Sequence, residues 1–150
     1  LQVVKLCAGC GPGGLNLWVA ARDAPGDFAW GLEVETNATN TNDGMINMNT
    51  IKALDASLNS YPAFKTCNDM GNGWYLPSLN ELDALYNSRN TLGHFSEDYY
   101  DGDYWTSTEK NMNQSWYQGF YDGIQHDYGY NNGHGDKYFQ LRVRCVRRVE

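Results

Sequence analysis

The chain has 150 residues, 41% of them hydrophobic and 14% aromatic, which is enough for one sizeable core and short for two. Its 18 acidic and 11 basic side chains leave a formal charge of −7, which argues against nucleic acid or heparin-like polymers as generic partners, since those need clustered cations. The aromatic content argues against disorder, and the one unbroken apolar run, around 15–21, is far too short to cross a bilayer, so no membrane insertion is expected.

Near the amino terminus, Cys7 and Cys10 form a CxxC pair. A second CxxC and nearby His ligands are missing, so a local disulfide or two free thiols is a plainer account than half a zinc site. No basic region followed by an apolar stretch is present, which implies that any export signal has been removed or never existed. GGLNLWVA (13–20) and FAWGLEVE (28–35) predict two paired strands with a DAPGD turn between them, because Pro and Gly break both periodicities there. Residues 47–58 predict a helix with Ile51, Leu54 and Leu58 on one face at spacings of three and four. Pro62 starts a new turn, and 63–70 predict a second short helix that carries Cys67. Ser78 and Glu81 have capping-box spacing for a third helix reaching about Ser88, with Leu79, Leu82, Leu85 and Tyr86 as its buried stripe.

A loop at 91–103 precedes the final strands. Asp98, Asp101 and Asp103 lie close together in it with His94 near, a set that suggests a divalent cation or acid–base chemistry. The run DYYDGDY lacks the full ligand series of an EF-hand, and a polar loop rich in turn formers is the plainer reading. At the carboxyl end, Leu141, Val143 and Cys145 alternate with Arg142 and Arg144, followed by Arg147 and Arg148. The overall acidity favours a solvated or ion-paired strand face there over a polyanion site.

The most informative stretch is 104–149. Eight of the chain's Tyr residues fall between Tyr99 and Tyr138, and from Tyr117 onward they are mixed with Gly, Asp, Asn and His. Tyr supplies stiff amphipathic contact area, and Gly and Asn supply adaptability, as in antibody paratopes. Along 116–130 the residues sort into two sets. Trp116, Gln118, Phe120, Gly123 and Gln125 form a frame, whereas Tyr117, Gly119, Tyr121, Asp122, Ile124, His126, Asp127, Tyr128 and Gly129 look freely chosen. The sets largely alternate up to Ile124, so in a strand Trp116, Gln118 and Phe120 would support the scaffold while Tyr117, Gly119 and Tyr121 face a partner. Each of the nine free positions can be encoded by changing only the first two letters of an Asn codon.

With that frame in place, the segment resembles the Asn-rich pattern W-N-Q-N-F-N-N-G-N-Q-N-N-N-N of template repeats in diversity-generating retroelements, which mutate adenines during reverse transcription. The chain resembles a retroelement variable protein, a class that displays its changed residues on a C-type lectin fold related to formylglycine-generating enzyme. Its body also resembles the domain family that includes the C-terminal domain of the Legionella collagen-like adhesin, through GGLNLWVA (13–20), GWYLPSLNELDALY (73–86), YWTSTE (104–109) and RVRCVR (142–147) in that order. The segments LQVVKLCAGC and NNGHGDKYFQL (131–141) depart from these patterns.

The resemblance implies an α+β, C-type lectin-like fold with short helices packed on small antiparallel sheets, as a single domain over 1–150 with a variable segment at about 111–140. Ligand contacts would come from Tyr117, Gly119, Tyr121, Asp122, Ile124, His126, Asp127, Tyr128, Gly129, Tyr130, Asn131, Asn132 and Tyr138, on a support of Trp74, Trp105, Trp116, Phe120 and the last strand. Four cysteines allow three pairings. Lectin-like folds commonly tie a helix to the sheet, which implies a Cys67–Cys145 disulfide. The expected role is non-enzymatic recognition of a protein or glycan on a target cell surface, from a cell surface or virion tail, with no cofactor. No motif places a Ser or Cys nucleophile beside a base, and His126 and His134 fall in the variable region. Calcium-dependent lectin triplets are absent, although a carbohydrate could stack on Tyr117, Tyr121 or Tyr128. The adhesin resemblance implies the alternative, an undiversified surface adhesin that forms a homo-oligomer and binds polyanionic glycans.

Overall fold

The computed structural model describes residues 3–128 and 134–150, and over them the chain forms nine short strands and four short helices. In chain order they are β1 (Val4–Cys7), β2 (Leu17–Ala20), β3 (Phe28–Ala29), α1 (Gly44–Leu54), α2 (Pro62–Asn68), β4 (Trp74–Tyr75), α3 (Leu79–Asn87), α4 (Arg89–Leu92), β5 (Asp103–Glu109), β6 (Ser115–Gly119), β7 (Gln125–His126), β8 (Gln140–Leu141) and β9 (Val146–Arg148). The strands make three antiparallel sheets, ordered β1-β2-β9-β4, β3-β8 and β5-β6-β7. The architecture is α+β, with short helices set against small sheets. None of the described helices is long and apolar enough to cross a membrane.

Two sequence-based expectations need correction. Segments 13–20 and 28–35 do not pair with each other: both edges of β2 are taken, by β1 and β9, and β3 pairs with β8. The intervening turn is drawn toward the tail, where the Ala24 N–H donates to the Val143 carbonyl at 2.9 Å. Helix α1 is shifted toward the amino terminus because Asp43 caps it, its Oδ1 accepting from the Met45 N–H at 3.0 Å. The buried face is therefore Gly44, Asn47, Met48 and Ile51, and Leu54 is 56% exposed. Leu58 is buried, but it lies beyond the helix in a left-handed conformation (φ 58°).

The third helix has the expected capping box. Ser78 Oγ accepts from the Glu81 N–H at 3.3 Å, and Glu81 Oε1 accepts from the Ser78 N–H at 3.0 Å. Glu81 also accepts from the Gly44 N–H (2.8 Å) and the Tyr75 hydroxyl (2.6 Å), so one carboxylate joins the starts of α1 and α3 to β4. Burial pushes its pKa up, opposed by these donors. Cys67 in α2 and Cys145 before β9 form a disulfide across 78 residues, which in the chain-entropy account removes about 4–5 kcal/mol of unfolded-state freedom. Cys7 and Cys10 form the second disulfide. Such bonds persist in oxidising surroundings.

Two buried ionic clusters fix the frame. Arg144 sits inside the fold, as do Val143 and Cys145 on either side of it, so the solvated face expected from alternation with Leu141, Val143 and Cys145 does not form there. Its guanidinium donates to Asp23 (2.9 Å) and to the carbonyls of Ala20, Gly93 and His94 (3.2, 3.2 and 2.8 Å), and it covers the Phe95 ring at 3.8 Å. The second cluster joins β5 to the segment before β8. Glu109 accepts from the Thr36 N–H and hydroxyl (both 2.9 Å), the Asn37 N–H (3.0 Å) and Lys137 Nζ (2.6 Å). Lys137 also donates to the Val34 carbonyl at 2.8 Å and lies 4.8 Å over Trp30. Burial lowers the Lys137 pKa, and Glu109 opposes that shift.

Candidate functional site

The end of the β5–β6–β7 sheet opposite Glu109 carries a surface cavity of about 560 Å³. Its lining is Tyr99 and Tyr100 from the loop before β5, Asp103 at the start of β5, Tyr117 and Gly119 from β6, Tyr121 and Asp122 from the next turn, His126 and Tyr128, and His134 and Phe139 from the returning segment. Six of the freely chosen positions, Tyr117, Gly119, Tyr121, Asp122, His126 and Tyr128, therefore meet in one concavity. None of the five frame residues lines it.

Four of the five frame residues are held by their own side chain or, at Gly123, by the lack of one. Gln118 is buried, and its Nε2 donates to Asp83 Oδ1 (2.9 Å) and the Gly123 carbonyl (3.0 Å). Gln125 Nε2 donates to the Leu79 carbonyl (2.7 Å) and to Gln118 Oε1 (3.2 Å). Phe120 packs against Tyr86, Phe95 and Tyr104 with centroids 5.2, 4.7 and 4.6 Å away. Gly123 has φ 81°, and a Cβ there would fall 2.4 Å from the Tyr86 ring. The Trp116 carbonyl accepts from the Thr106 hydroxyl at 2.9 Å, while its ring is half-buried and faces Lys110 at 5.8 Å.

The alternation argument places Tyr117 outward, but its side chain is only 4% exposed. Its ring forms the floor of the cavity because it packs on Trp105 beneath (6.3 Å) and on His126 and His134 above (5.1 and 6.1 Å). Burial pushes its phenol pKa up to about 12, so it is neutral and accepts from the His134 N–H at 3.0 Å. Tyr128 meets His126 edge-on (5.1 Å), and Phe139 meets His134 (5.5 Å), which extends a file of rings along one wall. On the opposite wall Tyr99 packs edge-on against Tyr121 (5.2 Å) and Tyr100 (4.9 Å).

Three other expected contact residues lie outside the cavity. Ile124 is exposed on the turn, Asp127 pairs with Lys110, and Tyr138 stacks on Phe139 at 4.9 Å. Gly129, Tyr130, Asn131 and Asn132 lie outside the described residues. Conversely, Tyr99, Tyr100 and Phe139 line the cavity without having been singled out. The available signal was the Tyr doublet in a turn-rich loop, and Tyr100 is 85% exposed.

The acidic loop does not converge on a cation. Asp98 Oδ1 accepts from the Tyr100 N–H, Asp101 pairs with Arg142, and Asp103 pairs with His134. No group of three or more His, Cys, Asp or Glu suited to a metal occurs among the described residues. Among the carboxyl-terminal arginines, Arg142 pairs with Asp23 and Asp101, Arg144 with Asp23, and Arg148 with Asp43.

No protein-family model and no curated protein matches the sequence. Among solved structures, a fimbrial protein from Bacteroides ovatus ATCC 8483 is similar, with a TM-score of 0.61 and 17% identity. The match covers 89% of this chain and 35% of that one, so the chain corresponds to a minor part of that protein's length. At this identity the likeness concerns the fold.

Proposed function

We propose that this chain is a non-enzymatic recognition module with a C-type lectin-like fold, whose aromatic cavity binds a protein or glycan on a target surface. In this reading the free positions of 111–140 are diversified by adenine mutagenesis. One observation carries it: six of the nine freely chosen positions share a cavity, whereas no frame residue lines it and Gln118, Gln125 and Gly123 are fixed by contacts elsewhere. A surface selected for many targets needs that separation, since side chains must change without moving their support. The likeness to a fimbrial protein and the two disulfides agree with display at a surface.

The test is to sequence the DNA flanking the gene. A nearby reverse transcriptase and a near-copy of codons 104–148, differing almost only where the copy carries adenine, is the expected result. A flanking region without such a copy would reduce the cavity to an ordinary evolved surface.

A further inference from the structure

We infer that the cavity takes an organic cation, an alkylammonium or guanidinium group, as the anchoring feature of its ligand; this rests on the recognition reading above and specifies its chemistry. Two kinds of group face the space. Exposed aromatic rings line it, Tyr99, Tyr100, Tyr121 and Tyr128, while the Tyr117 ring lies buried against His126 and His134. Ring faces attract a cation lying within about 6 Å of the ring centre.

Carboxylates face the same space. A carbon placed in the Cβ direction from Gly119 would lie 3.2 Å from Asp103 Oδ1 and 3.4 Å from Asp122 Oδ1. Gly119 puts no side chain between the two oxygens, and both acids line the cavity with it. Asp103 divides its oxygens, Oδ2 contacting His134 Nδ1 at 2.6 Å while Oδ1 approaches the Gly119 point. Asp122 Oδ1 accepts from the Ile124 N–H at 3.0 Å.

Among the described residues, no Lys or Arg lines this cavity to neutralise the two acids. The nearest arginine belongs to the adjoining smaller cavity and is held by Asp101 and Asp23, and Lys110 is held by Asp127. An anion entering here would face Asp122, which no cation pairs among the described residues, and the Asp103 oxygen turned away from His134, whereas a cation meets carboxylates and rings together. The whole-chain charge of −7 adds long-range attraction of the same sign.

The experiment uses the full chain in low-salt buffer at pH 8, following aromatic ring resonances by NMR. The probes are choline and its neutral carbon isostere 3,3-dimethylbutan-1-ol. Choline is expected to shift the Tyr117, Tyr121 and Tyr128 signals and to bind about tenfold more tightly than the isostere. That preference should shrink in Asp122→Asn and shrink further in the Asp103→Asn, Asp122→Asn pair, where only the rings still favour the cation; the exposed single substitution serves if the pair does not fold. Equal binding of the two probes, no shift with either, or an undiminished preference in Asp122→Asn would overturn the inference.

A Gly-Gly-Lys-Gly-Gly peptide against its norleucine counterpart identifies the source of the cation. A peptide that outcompetes choline assigns it to a protein side chain, and the reverse assigns it to a small quaternary amine; both orders support the cation. The comparison of gene and template does not depend on charge, so the recognition reading and this inference fail separately.

Discussion

Two ion pairs join β5 to the segment that returns toward β8, and they sit in opposite surroundings. Lys137–Glu109 is buried, with side chains 0% and 2% exposed, and each partner makes further hydrogen bonds to backbone. His134–Asp103, at the other end of β5, is 47% and 18% exposed and borders the cavity. The same two stretches of chain are thus locked at one end and solvated at the other. Side chains at the solvated end can change with little effect on the backbone, because that backbone is held at the other end.

Breaking the locked end should have the largest effect. Glu109→Ala leaves Lys137 buried without its counter-charge and is expected to cost about 3–5 kcal/mol in urea unfolding. The pair Glu109→Gln, Lys137→Met should recover part of that loss, and a double-mutant cycle reads the difference. Next is Gly123→Ala, which forces a side chain into the Tyr86 ring at positive φ and is expected to cost about 2 kcal/mol. An unchanged midpoint would mean that the turn is not fixed by its fit against α3.

A graded effect is expected in alkali. Burial raises the phenol pKa of Tyr61, Tyr75, Tyr104 and Tyr117, the last to about 12, against an ordinary value near 10. A raised folded-state value means the unfolded chain loses these protons first. Their contribution is therefore complete below about pH 10 and is lost as the pH climbs through the folded values. Part of the phenolate absorbance should appear only together with loss of near-ultraviolet circular dichroism; full titration of a still-folded chain would contradict this. The smallest change belongs to the solvated end. His134→Ala should cost less than about 1 kcal/mol, and Tyr121→Ala about as little. A large loss from either would show that the cavity wall is part of the core.

The elements legible in the sequence were those with a local cause. Ser78 and Glu81 lie three apart and act on each other, so the start of α3 needed no tertiary knowledge. The start of α1 depended on Asp43, which lies among Asn and Asp residues with equal capping potential, and apolar spacing favoured Leu54 and Leu58 instead. The pairing of 13–20 with 28–35 followed from a turn signal, but strands choose partners through the whole sheet, and β9 lies well over a hundred residues after β2. At the site, six of the nine free positions line the cavity and none of the five frame positions does, although the codon rule alone does not separate the sets, since Phe120 and Gly123 satisfy it too. Tyr117 departs from strand alternation because its ring meets Trp105 edge-on and lies against two imidazoles, contacts that alternation does not encode. Tyr99 and Tyr100 come from a separate loop, so only the folded arrangement brings them to Tyr121.

The bond between Cys67 and Cys145 also governs what happens when the chain is cut. Tyr99 and Tyr100 stand exposed on a loop inside the interval it spans, and such a loop is a natural substrate for proteases. A single nick there would leave two fragments still covalently joined, with β9 held between β2 and β4. A chain built this way keeps its pieces together after cleavage, and the nick shows only when the sample is reduced.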